Sequence, residues 1–420
     1  MIYKRKYYLQ KIQDSLKDID NILFIVWWRQ VWKTTLLKSL VEFWIIEEEQ
    51  VFYINWDELF EEFINWEQFL EFLRIKYWVD VHRIDFLIID EFHFIKNIWL
   101  ILKNLIDHVR KRKFKFKIIC SGSWSWYKFL EKAEFLTWRY EVLRVYPFTF
   151  GEFLDYNWFK YYDFNISNIE LFVGDLKIYF QEYAKFWWYP EVVITKDVNR
   201  KKQIINKIFQ DYLTKDVAMF LKWEEIFYFK KFLKKVVNNI WSVFSVDSLV
   251  EKLWLGRKVV EKFLFIFENA FLWKIIYWLK TGFFEGEVTK KIKIYFYDMG
   301  FFNYLTDFLV NPGSLVESFI FSQIIPYILD YEEIYYRRRR TGSEIDFVIK
   351  DKIDKIFKLV EAKSWNKDNI PKIILNWLKN KDLNISNVII TTDNLYKVRE
   401  EEGKQIIFVP YLWIEKLFYK

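Results

Sequence analysis

The sequence predicts an α/β protein whose N-terminal part is built on a parallel sheet and is followed by a helical region and a second α/β part. Four apolar runs of strand length alternate with helical segments, at 21–26, 50–58, 86–89 and 116–123. Continuous apolar runs are typical of parallel strands buried on both faces, and the helices between them supply the crossovers. Polar residues follow the first and third runs, at the carboxyl ends where open α/β sheets bind ligands.

The first apolar run leads into a turn and a helix with the spacing of a phosphate-binding loop. Residues 27–35 read W-W-R-Q-V-W-K-T-T, and glycine at Trp27 and Trp32 would make this G-x-x-x-x-G-K-T. In such a loop glycines bring backbone N–H groups against the phosphates, the lysine reaches the β- and γ-phosphates, and the hydroxyl holds Mg²⁺. Lys33 and Thr34 would take these roles, unless the segment is only a helix start that carries Lys-Thr-Thr. The predicted nucleotide-binding residues are Trp27, Trp28, Arg29, Gln30, Val31, Trp32, Lys33, Thr34 and Thr35.

An acidic pair, Asp90 and Glu91, ends the third apolar run about 55 residues beyond the loop. Such a pair is common after any strand, but in this context it matches the second signature of a nucleotide hydrolase. Asp90 would hold Mg²⁺, together with the Thr34 hydroxyl, and Glu91 would orient or deprotonate the attacking water. The next strand ends in small polar residues, and Ser121 or Ser123 is placed to sense the γ-phosphate.

Composition and charge narrow the classes of protein that fit the chain. Apolar residues make up 53% and charged residues 29% of 420 residues, which is a globular balance. No apolar run approaches the ~18–20 residues of a membrane helix, and the N-terminus lacks a signal-peptide pattern. The single cysteine, Cys120, excludes an internal disulfide framework and fits a reducing cytoplasm. The net charge of +7 is concentrated at 110–117 and 337–340, where it forms either a solvated face or a phosphate-contacting patch.

The glycine and tryptophan contents are both unusual. Glycine accounts for 10 residues, about 2.4%, against a usual ~7%, whereas tryptophan accounts for 22. Together they make about 7.6% of the chain, an ordinary content for glycine alone. The hypothesis is that many of these tryptophans are UGA codons that the source reads as glycine.

Taken together, these motifs resemble predicted prokaryotic AAA+-type ATPases that carry a companion C-terminal domain of unknown function. The loop of that family reads close to G-P-R-Q-V-G-K-T-T-L-L, and its acidic pair is usually followed by a glutamine where this chain has His93. A strand ending T-G-S-S, a GR…L.PF.F.EFL segment and a GG.PE segment correspond to "CSGSWS", Thr137–Leu154 and Phe186–Val193. The resemblance covers about residues 1–370. It implies ATP as the nucleotide and a role near it for Arg139, whose alternative is a surface arginine that starts a strand.

The resemblance also tests the tryptophan hypothesis. The positions at which the family has glycine are Trp27, Trp32, Trp138, Trp187 and Trp188. The competing interpretation is a decayed, inactive pseudo-ATPase with genuine tryptophans.

The middle of the chain predicts helices and a winged helix. Residues 155–235 are mainly helical and rich in aromatic residues, as expected for a lid and linker. Residues 240–298 predict two helices followed by two wing strands. Because a winged helix often places its second helix in the DNA major groove, Arg257, Lys258 and Lys262 are candidate DNA contacts, although the fold also serves as a protein–protein module.

The C-terminal segment predicts a second site. A helix carries Glu317, one strand carries Asp346, and Glu361 and Lys363 lie two residues apart on the next strand. This D-x14-E-x-K pattern resembles the restriction-endonuclease-like core, in which carboxylates hold Mg²⁺ and the lysine steadies the attacking water. The arginines at 337–340 are placed to meet phosphates. The alternative is an inactive version of that fold.

The predicted function is therefore a Mg²⁺-dependent ATPase of AAA+ type, with Lys33, Asp90 and Glu91 as catalytic residues. The alternatives are a nuclease, or a DNA-binding regulator, gated by nucleotide. The expected partners are nucleotide, DNA, and a second copy or another protein, with no membrane. The predicted domains are the ATPase at 1–155, the helical lid at 156–235, the winged helix at 236–305 and the nuclease-like domain at 306–420.

Overall fold

A computed structural model divides the chain into two units, Met1–Pro147 and Phe148–Lys420. It describes residues 3–27, 33–43, 45–47, 50–56, 62–122, 136–165, 171–186, 189–218, 220–237, 243–269, 273–279, 291–305, 312–339 and 342–419. At Trp27, Lys33 and Thr34 this description covers the backbone alone.

The first unit is built on a five-stranded parallel sheet with the strand order β2-β3-β4-β1-β5. Its strands are β1 (Ile22–Trp27), β2 (Val51–Asn55), β3 (Phe86–Asp90), β4 (Lys117–Gly122) and β5 (Tyr140–Val145). Its helices are α1 (Lys6–Leu16), α2 (Lys33–Glu42), α3 (Trp66–Tyr77) and α4 (Ile98–Arg110), with a short 3₁₀ turn at Phe92–Phe94. The predicted α/β fold with a parallel sheet is confirmed.

The strand order brings three chain segments to one edge of the sheet. β4 lies between β1 and β3, so that Ile25 and Asp90 both pair with Ser121. Since all of these strands run in the same direction, their carboxyl ends meet at this edge. The carboxyl end of β1 and the acids Asp90 and Glu91 at the end of β3 therefore lie on either side of Ser121.

The core of the first unit is aromatic and aliphatic. Phe24, at the centre of β1, is fully buried, and its ring lies 5.2 Å from Phe92 and 5.7 Å from Trp99, measured between ring centroids. Ring contacts at these separations add stability to the fold beyond that gained from the apolar area they bury. The α4 face that packs on the sheet therefore uses Trp99 as a core residue.

The second unit begins with a helical layer. Its helices are α5 (Phe150–Tyr156), α6 (Val173–Phe186), α7 (Pro190–Ile194), α8 (Val198–Asp211), α9 (Trp223–Val237), α10 (Val246–Leu253), α11 (Arg257–Asn269), α12 (Met299–Leu305), α13 (Pro312–Ile324) and α14 (Lys372–Leu378). A π-helical turn at Tyr212–Val217 extends α8, and 3₁₀ segments lie at Tyr161–Asp163, Ile325–Tyr327 and Tyr411–Leu417. Within the described part of the chain, no helix combines the length and the apolar content needed to cross a membrane.

A nine-stranded mixed sheet completes the second unit, in the order β13-β14-β12-β11-β10-β9-β7-β8-β6. The strands are β6 (Phe244–Ser245), β7 (Trp273–Trp278), β8 (Lys291–Phe296), β9 (Glu332–Arg338), β10 (Glu344–Asp351), β11 (Ile356–Glu361), β12 (Asn384–Thr392), β13 (Lys397–Glu401) and β14 (Lys404–Pro410). β7 pairs with β9 through Tyr277 and Trp278. The sheet thus joins strands from the predicted winged helix and the predicted nuclease-like domain, and the division of the chain into four domains stays a prediction.

The elements predicted for a winged helix occur in the predicted order, as β6, α10, α11, β7 and β8. Two of its candidate DNA contacts are held in ion pairs. Arg257 pairs with Asp247 and Glu261, and Lys262 donates to Glu225 at 2.7 Å. DNA contact by this region stays a prediction.

Several tryptophans adopt a backbone conformation that favours glycine. Among the described residues, nine other than glycine have a positive φ near 50–67°, and four of them are tryptophan: Trp78, Trp138, Trp158 and Trp254. Left-handed backbone crowds the Cβ of any L-residue, most of all a bulky one. These four side chains are 82–94% exposed, so packing does not compensate for the crowding.

Other tryptophans are ordinary core residues. Trp56, Trp273 and Trp413 are at most 1% exposed and are not among the residues with positive φ. Trp413 stacks on Tyr161 with ring centroids 4.8 Å apart. The structure therefore contains one group of buried tryptophans and another of exposed, left-handed ones, and UGA recoding of the second group stays a prediction. Trp32, Trp187 and Trp188 lie outside the described residues.

Candidate functional sites

The first candidate site lies at the carboxyl edge of the parallel sheet. β1 ends at Trp27 and α2 begins at Lys33, which is the strand–loop–helix arrangement predicted for phosphate binding. The amino end of α2 therefore lies beside the segment that follows β1, and helix amino ends favour anions. Thr35 lies in the first turn of α2. The predicted loop residues Trp28, Arg29, Gln30, Val31 and Trp32 lie outside the described residues.

The carboxylate of Asp90 is held from both neighbouring strands. Its Oδ2 accepts a hydrogen bond from the Tyr53 hydroxyl on β2 at 2.7 Å. Its Oδ1 accepts from the Ser121 hydroxyl on β4 and from the Glu91 backbone N–H, the latter at 3.0 Å. Asp90 is buried, and this orientation fixes its oxygens at the edge where β1 and β3 end. Hard oxygen ligands of this kind are those that Mg²⁺ prefers.

Glu91 turns the chain away from the sheet. Its backbone is left-handed, with a φ of 52°, and it precedes the 3₁₀ turn. Oε2 of Glu91 lies 3.5 Å from Nδ1 of His93. The His93 ring in turn covers the end of β4, because a Cβ at Gly122 would lie 2.9 Å from Nδ1. Glycine at 122 thus leaves room for the imidazole that lies against Glu91.

The remaining predicted residues of this site divide into three cases. Ser121 lies at the edge and donates to Asp90. Ser123 lies outside the described residues. Arg139 precedes β5 at the amino edge of the sheet, where its carbonyl accepts from Ile22 N–H and its guanidinium pairs with Asp107 at 2.7 Å. The whole length of β5 separates it from the carboxyl edge, which favours the alternative of an arginine that starts a strand.

Residues 20–154 match the family model described as the AAA domain. This part of the chain is an AAA domain. Its limits enclose the complete parallel sheet and most of α5. Two further matches, to the domains of unknown function DUF8612 and DUF4143, cover residues 179–310 and 312–412.

Two relatives span most of the chain. An uncharacterized protein of Methanocaldococcus jannaschii is 24% identical over 388 residues, which cover 89% of this chain and 83% of the relative. An uncharacterized protein of Haemophilus influenzae is 24% identical over 427 residues, which cover 97% of this chain and 98% of the relative. The similarity therefore extends over most of the length of both relatives.

Solved structures with similarity to the chain include DnaA and RuvB. AMPPCP-bound DnaA from Aquifex aeolicus is 12% identical with a TM-score of 0.28, and the aligned region covers 64% of this chain and 93% of the DnaA chain. A RuvB variant from Thermotoga maritima is 12% identical with a TM-score of 0.32, and the aligned region covers 65% of this chain and 90% of the RuvB chain. The fold assignment of the AAA domain rests on the family match and on the strand order, not on these overlaps.

The second candidate site lies in the nine-stranded sheet. Carboxylate oxygens of Glu317 on α13 and of Glu344 and Asp346 on β10 lie within 4.8 Å of one another. Glu361 ends β11, and its Oε1 pairs with the Nζ of Lys363 at 2.7 Å. The structure thus brings together all four residues that the nuclease-like pattern predicts and adds Glu344 to them.

Burial and mutual repulsion govern the charges of this second cluster. Burial, with the negative charges of Glu317 and Glu361, raises the pKa of Asp346 well above its usual range. Burial also raises the pKa of Glu361, although the Lys363 ammonium opposes that shift. Shifts of this origin mark carboxylates that lack enough positive charge around them.

Sequence reasoning missed three residues of the two sites. Tyr53 lies in a predicted strand that carries no local sign of contact with Asp90. Glu344 precedes Asp346 by two residues, so strand alternation alone would have put both side chains on one face. Lys293 lies in a different predicted domain, yet its Nζ is 2.8 Å from Oε1 of Glu317.

Proposed function

We propose that the AAA domain binds ATP at the carboxyl edge of its sheet and hydrolyses it with Mg²⁺. The observation that carries this proposal is the buried Asp90 carboxylate, oriented by Tyr53 and Ser121 at the edge where β1 leads into α2. That placement fits a residue which helps to hold a metal ion beside phosphates bound at a helix amino end.

Each residue of the site then has one role. Lys33 and the backbone N–H groups of the preceding loop hold the β- and γ-phosphates. Asp90 and the Thr34 hydroxyl would hold Mg²⁺, which when bound neutralises charge on the phosphates. Glu91 accepts a proton from the water that attacks the γ-phosphate, and His93 lies within 3.5 Å of its carboxylate.

The experiment separates binding from hydrolysis. These variants are made in the Trp27→Gly/Trp32→Gly protein, which serves as the parent. We expect Glu91→Gln to bind a fluorescent ATP analogue as this parent does and to lose phosphate release, because the amide cannot accept the proton. Lys33→Ala is expected to lose both. Glu71→Gln is the matched control, since Glu71 is half exposed and pairs with Arg74 on α3. Loss of analogue binding in Glu91→Gln, or full hydrolysis by it, contradicts the assigned role.

The tryptophans in the loop impose a further condition on this function. An indole at position 32 would fill space that the phosphates need, and position 27 lies where the strand must turn. We expect no measurable ATP binding by the chain as written, and binding after Trp27→Gly with Trp32→Gly. UGA codons at 27, 32, 138, 187 and 188 in the gene are the direct check, and UGG codons at these positions refute recoding. Equal nucleotide affinity of the two proteins refutes the steric argument.

A second candidate function is binding or cleavage of nucleic acid by the C-terminal part. It is favoured by the grouping of Glu317, Asp346, Glu361 and Lys363 next to β9, which ends in Arg337 and Arg338. Metal-dependent cleavage of DNA that disappears in Asp346→Ala supports a nuclease. Absence of cleavage with Mg²⁺, Mn²⁺ and Ca²⁺ removes that candidate, whereas DNA retention that depends on ATP but not on Glu361 supports a nucleotide-gated binding module.

A further inference from the structure

A buried ammonium occupies the centre of the carboxylate cluster in the second unit. The Nζ of Lys293 lies 2.8 Å from Oε1 of Glu317, contacts Oε1 of Glu344, and lies 3.9 Å from Oδ1 of Asp346. Its side chain is 6% exposed. The same three carboxylates are those whose oxygens lie within 4.8 Å of one another. Lys293 therefore stands where a cation shared by these residues would stand.

The contact between Lys293 and the carboxylates on β10 joins strands that are not neighbours in the sheet. β8, which carries Lys293, is three strands away from β10 in the sheet order. At ~4.8 Å between neighbouring strands, a flat sheet would keep these two strands roughly 14 Å apart. The Lys293 side chain nevertheless contacts Glu344 on β10. Tyr295, two residues further along β8, also contacts Glu317, so β8 presents two groups to the same carboxylate.

The ammonium does not balance the negative charge around it. Four carboxylates, those of Glu317, Glu344, Asp346 and Glu361, face two ammonium groups, those of Lys293 and Lys363. The Arg338 guanidinium adds a third positive charge, 3.7 Å from Oε2 of Glu344. Fully ionised, the cluster carries an excess of one negative charge. In addition, Oε2 of Glu361 is buried and accepts no hydrogen bond from the described residues, and Glu361 itself is 3% exposed. A buried oxygen in that state is costly unless a cation reaches it.

The spacing of the carboxylates suits a divalent ion. Mg²⁺ and Ca²⁺ bind oxygen at ~2.1–2.5 Å, so two ligands on opposite sides of the ion are roughly 4–5 Å apart. The oxygens of Glu317, Glu344 and Asp346 are within that separation of one another. Lysine is the other cation that these oxygens can accommodate, and only one of the two can occupy the centre.

We propose that Lys293 is an internal competitor for a divalent cation at the Glu317–Glu344–Asp346 site, and that the ion binds only when the lysine withdraws from the cluster. In the metal-free state Lys293 keeps the three carboxylates together. Binding of the ion does not depend on the second candidate function. Only the use of the bound ion, in the cleavage of nucleic acid, rests on that function. The competing ammonium weakens cation binding at the wild-type site. A nearby opposite charge at such distances changes the proton-binding constant of a carboxylate by roughly 10- to 1,000-fold, and we expect an effect of the same size on the binding of a metal ion.

Calorimetry with MnCl₂ and MgCl₂ on the full chain tests the competition directly. We expect Lys293→Met to bind Mn²⁺ roughly 10- to 1,000-fold more tightly than wild type. Adding Glu344→Gln to that variant should abolish the gain. Lys358→Met is the matched control, since Lys358 pairs with the buried Glu332 at 2.6 Å in the same sheet. Equal or weaker binding by Lys293→Met, or a gain that survives Glu344→Gln, overturns the proposal.

A second measurement uses the wild-type chain, in case the variant does not fold. Acylation of lysines, read by mass spectrometry, should modify Lys293 slowly without metal because its side chain is buried. Saturating Mn²⁺ should increase that rate several-fold and leave Lys358 unchanged. An unchanged rate at Lys293 with Mn²⁺ bound overturns the proposal. Because neither assay reads DNA cleavage, a chain that binds the ion and cuts nothing removes the nuclease candidate alone.

Discussion

Replacing the exposed, left-handed tryptophans by glycine should stabilise the protein, against the usual effect of removing a large side chain. Trp254 follows α10 with φ 55° and ψ 35° and is 94% exposed, so almost no buried area is lost. A left-handed L-residue costs about 1–2 kcal/mol, whereas glycine pays about 0.5–1 kcal/mol in the entropy of the unfolded chain. The net gain expected for Trp254→Gly is therefore roughly 0.5–1 kcal/mol.

The same calculation applies to Trp78, Trp138 and Trp158, whose φ values are 57°, 59° and 67°. Trp78 and Trp138 lie in the first unit and Trp158 and Trp254 in the second, so the effects should add to roughly 1–2 kcal/mol in each unit. Thermal unfolding followed by circular dichroism measures this, with each kcal/mol worth about 2–4 °C in a unit of this size.

The control is a tryptophan of the buried group. Trp413→Gly removes a fully buried ring that stacks on Tyr161, and cavity formation should cost about 3–5 kcal/mol. The same substitution should therefore raise stability at one kind of position and lower it at the other. A loss of stability in Trp254→Gly, or the same sign at both positions, would contradict this expectation.

Three further predictions concern polar groups, and the ATP measurements among them use the Trp27→Gly/Trp32→Gly protein. Tyr53→Phe removes a hydroxyl that donates to the buried Asp90 carboxylate; we expect a loss of about 1.5–3 kcal/mol in unfolding free energy and a lower kcat for ATP with KM little changed, and a change confined to KM contradicts the positioning role. Gly122→Ala places a Cβ 2.9 Å from Nδ1 of His93, so ATP hydrolysis should fall while nucleotide binding persists, and unchanged hydrolysis contradicts this. Burial raises the pKa of Glu415 to about 7, so the folded state holds a proton that the unfolded state releases near 4.5. Stability should therefore be greatest below pH 4.5 on this account and fall by roughly 3 kcal/mol as the pH rises through 7. Glu415→Gln should flatten that part of the curve, as measured by urea unfolding at several pH values, and an unaltered slope contradicts the assignment.

Local patterns were sufficient for the N-terminal sheet and the outline of its site. The apolar runs predicted four parallel strands, and the spacing from β1 through Lys33 to Asp90 predicted which ends would meet. These features follow from the sequence because strand and helix periodicities are local, and because parallel strands joined by helices place their carboxyl ends together. The helix that carries Glu317 and the strand that carries Asp346 were predicted on the same basis.

The tertiary structure alone decided which distant groups touch. Tyr53 reaches Asp90 because β2 and β3 are neighbours, and Lys293 reaches Glu317 because α13 packs against β8. Neither contact has a sequence signal, since both depend on how elements that are distant in the sequence pack together. The backbone likewise decided which tryptophans occupy left-handed positions that favour glycine, as at Trp254. Composition revealed the excess of tryptophan, but only φ and burial distinguish a ring that fills the core from one that crowds the end of a helix.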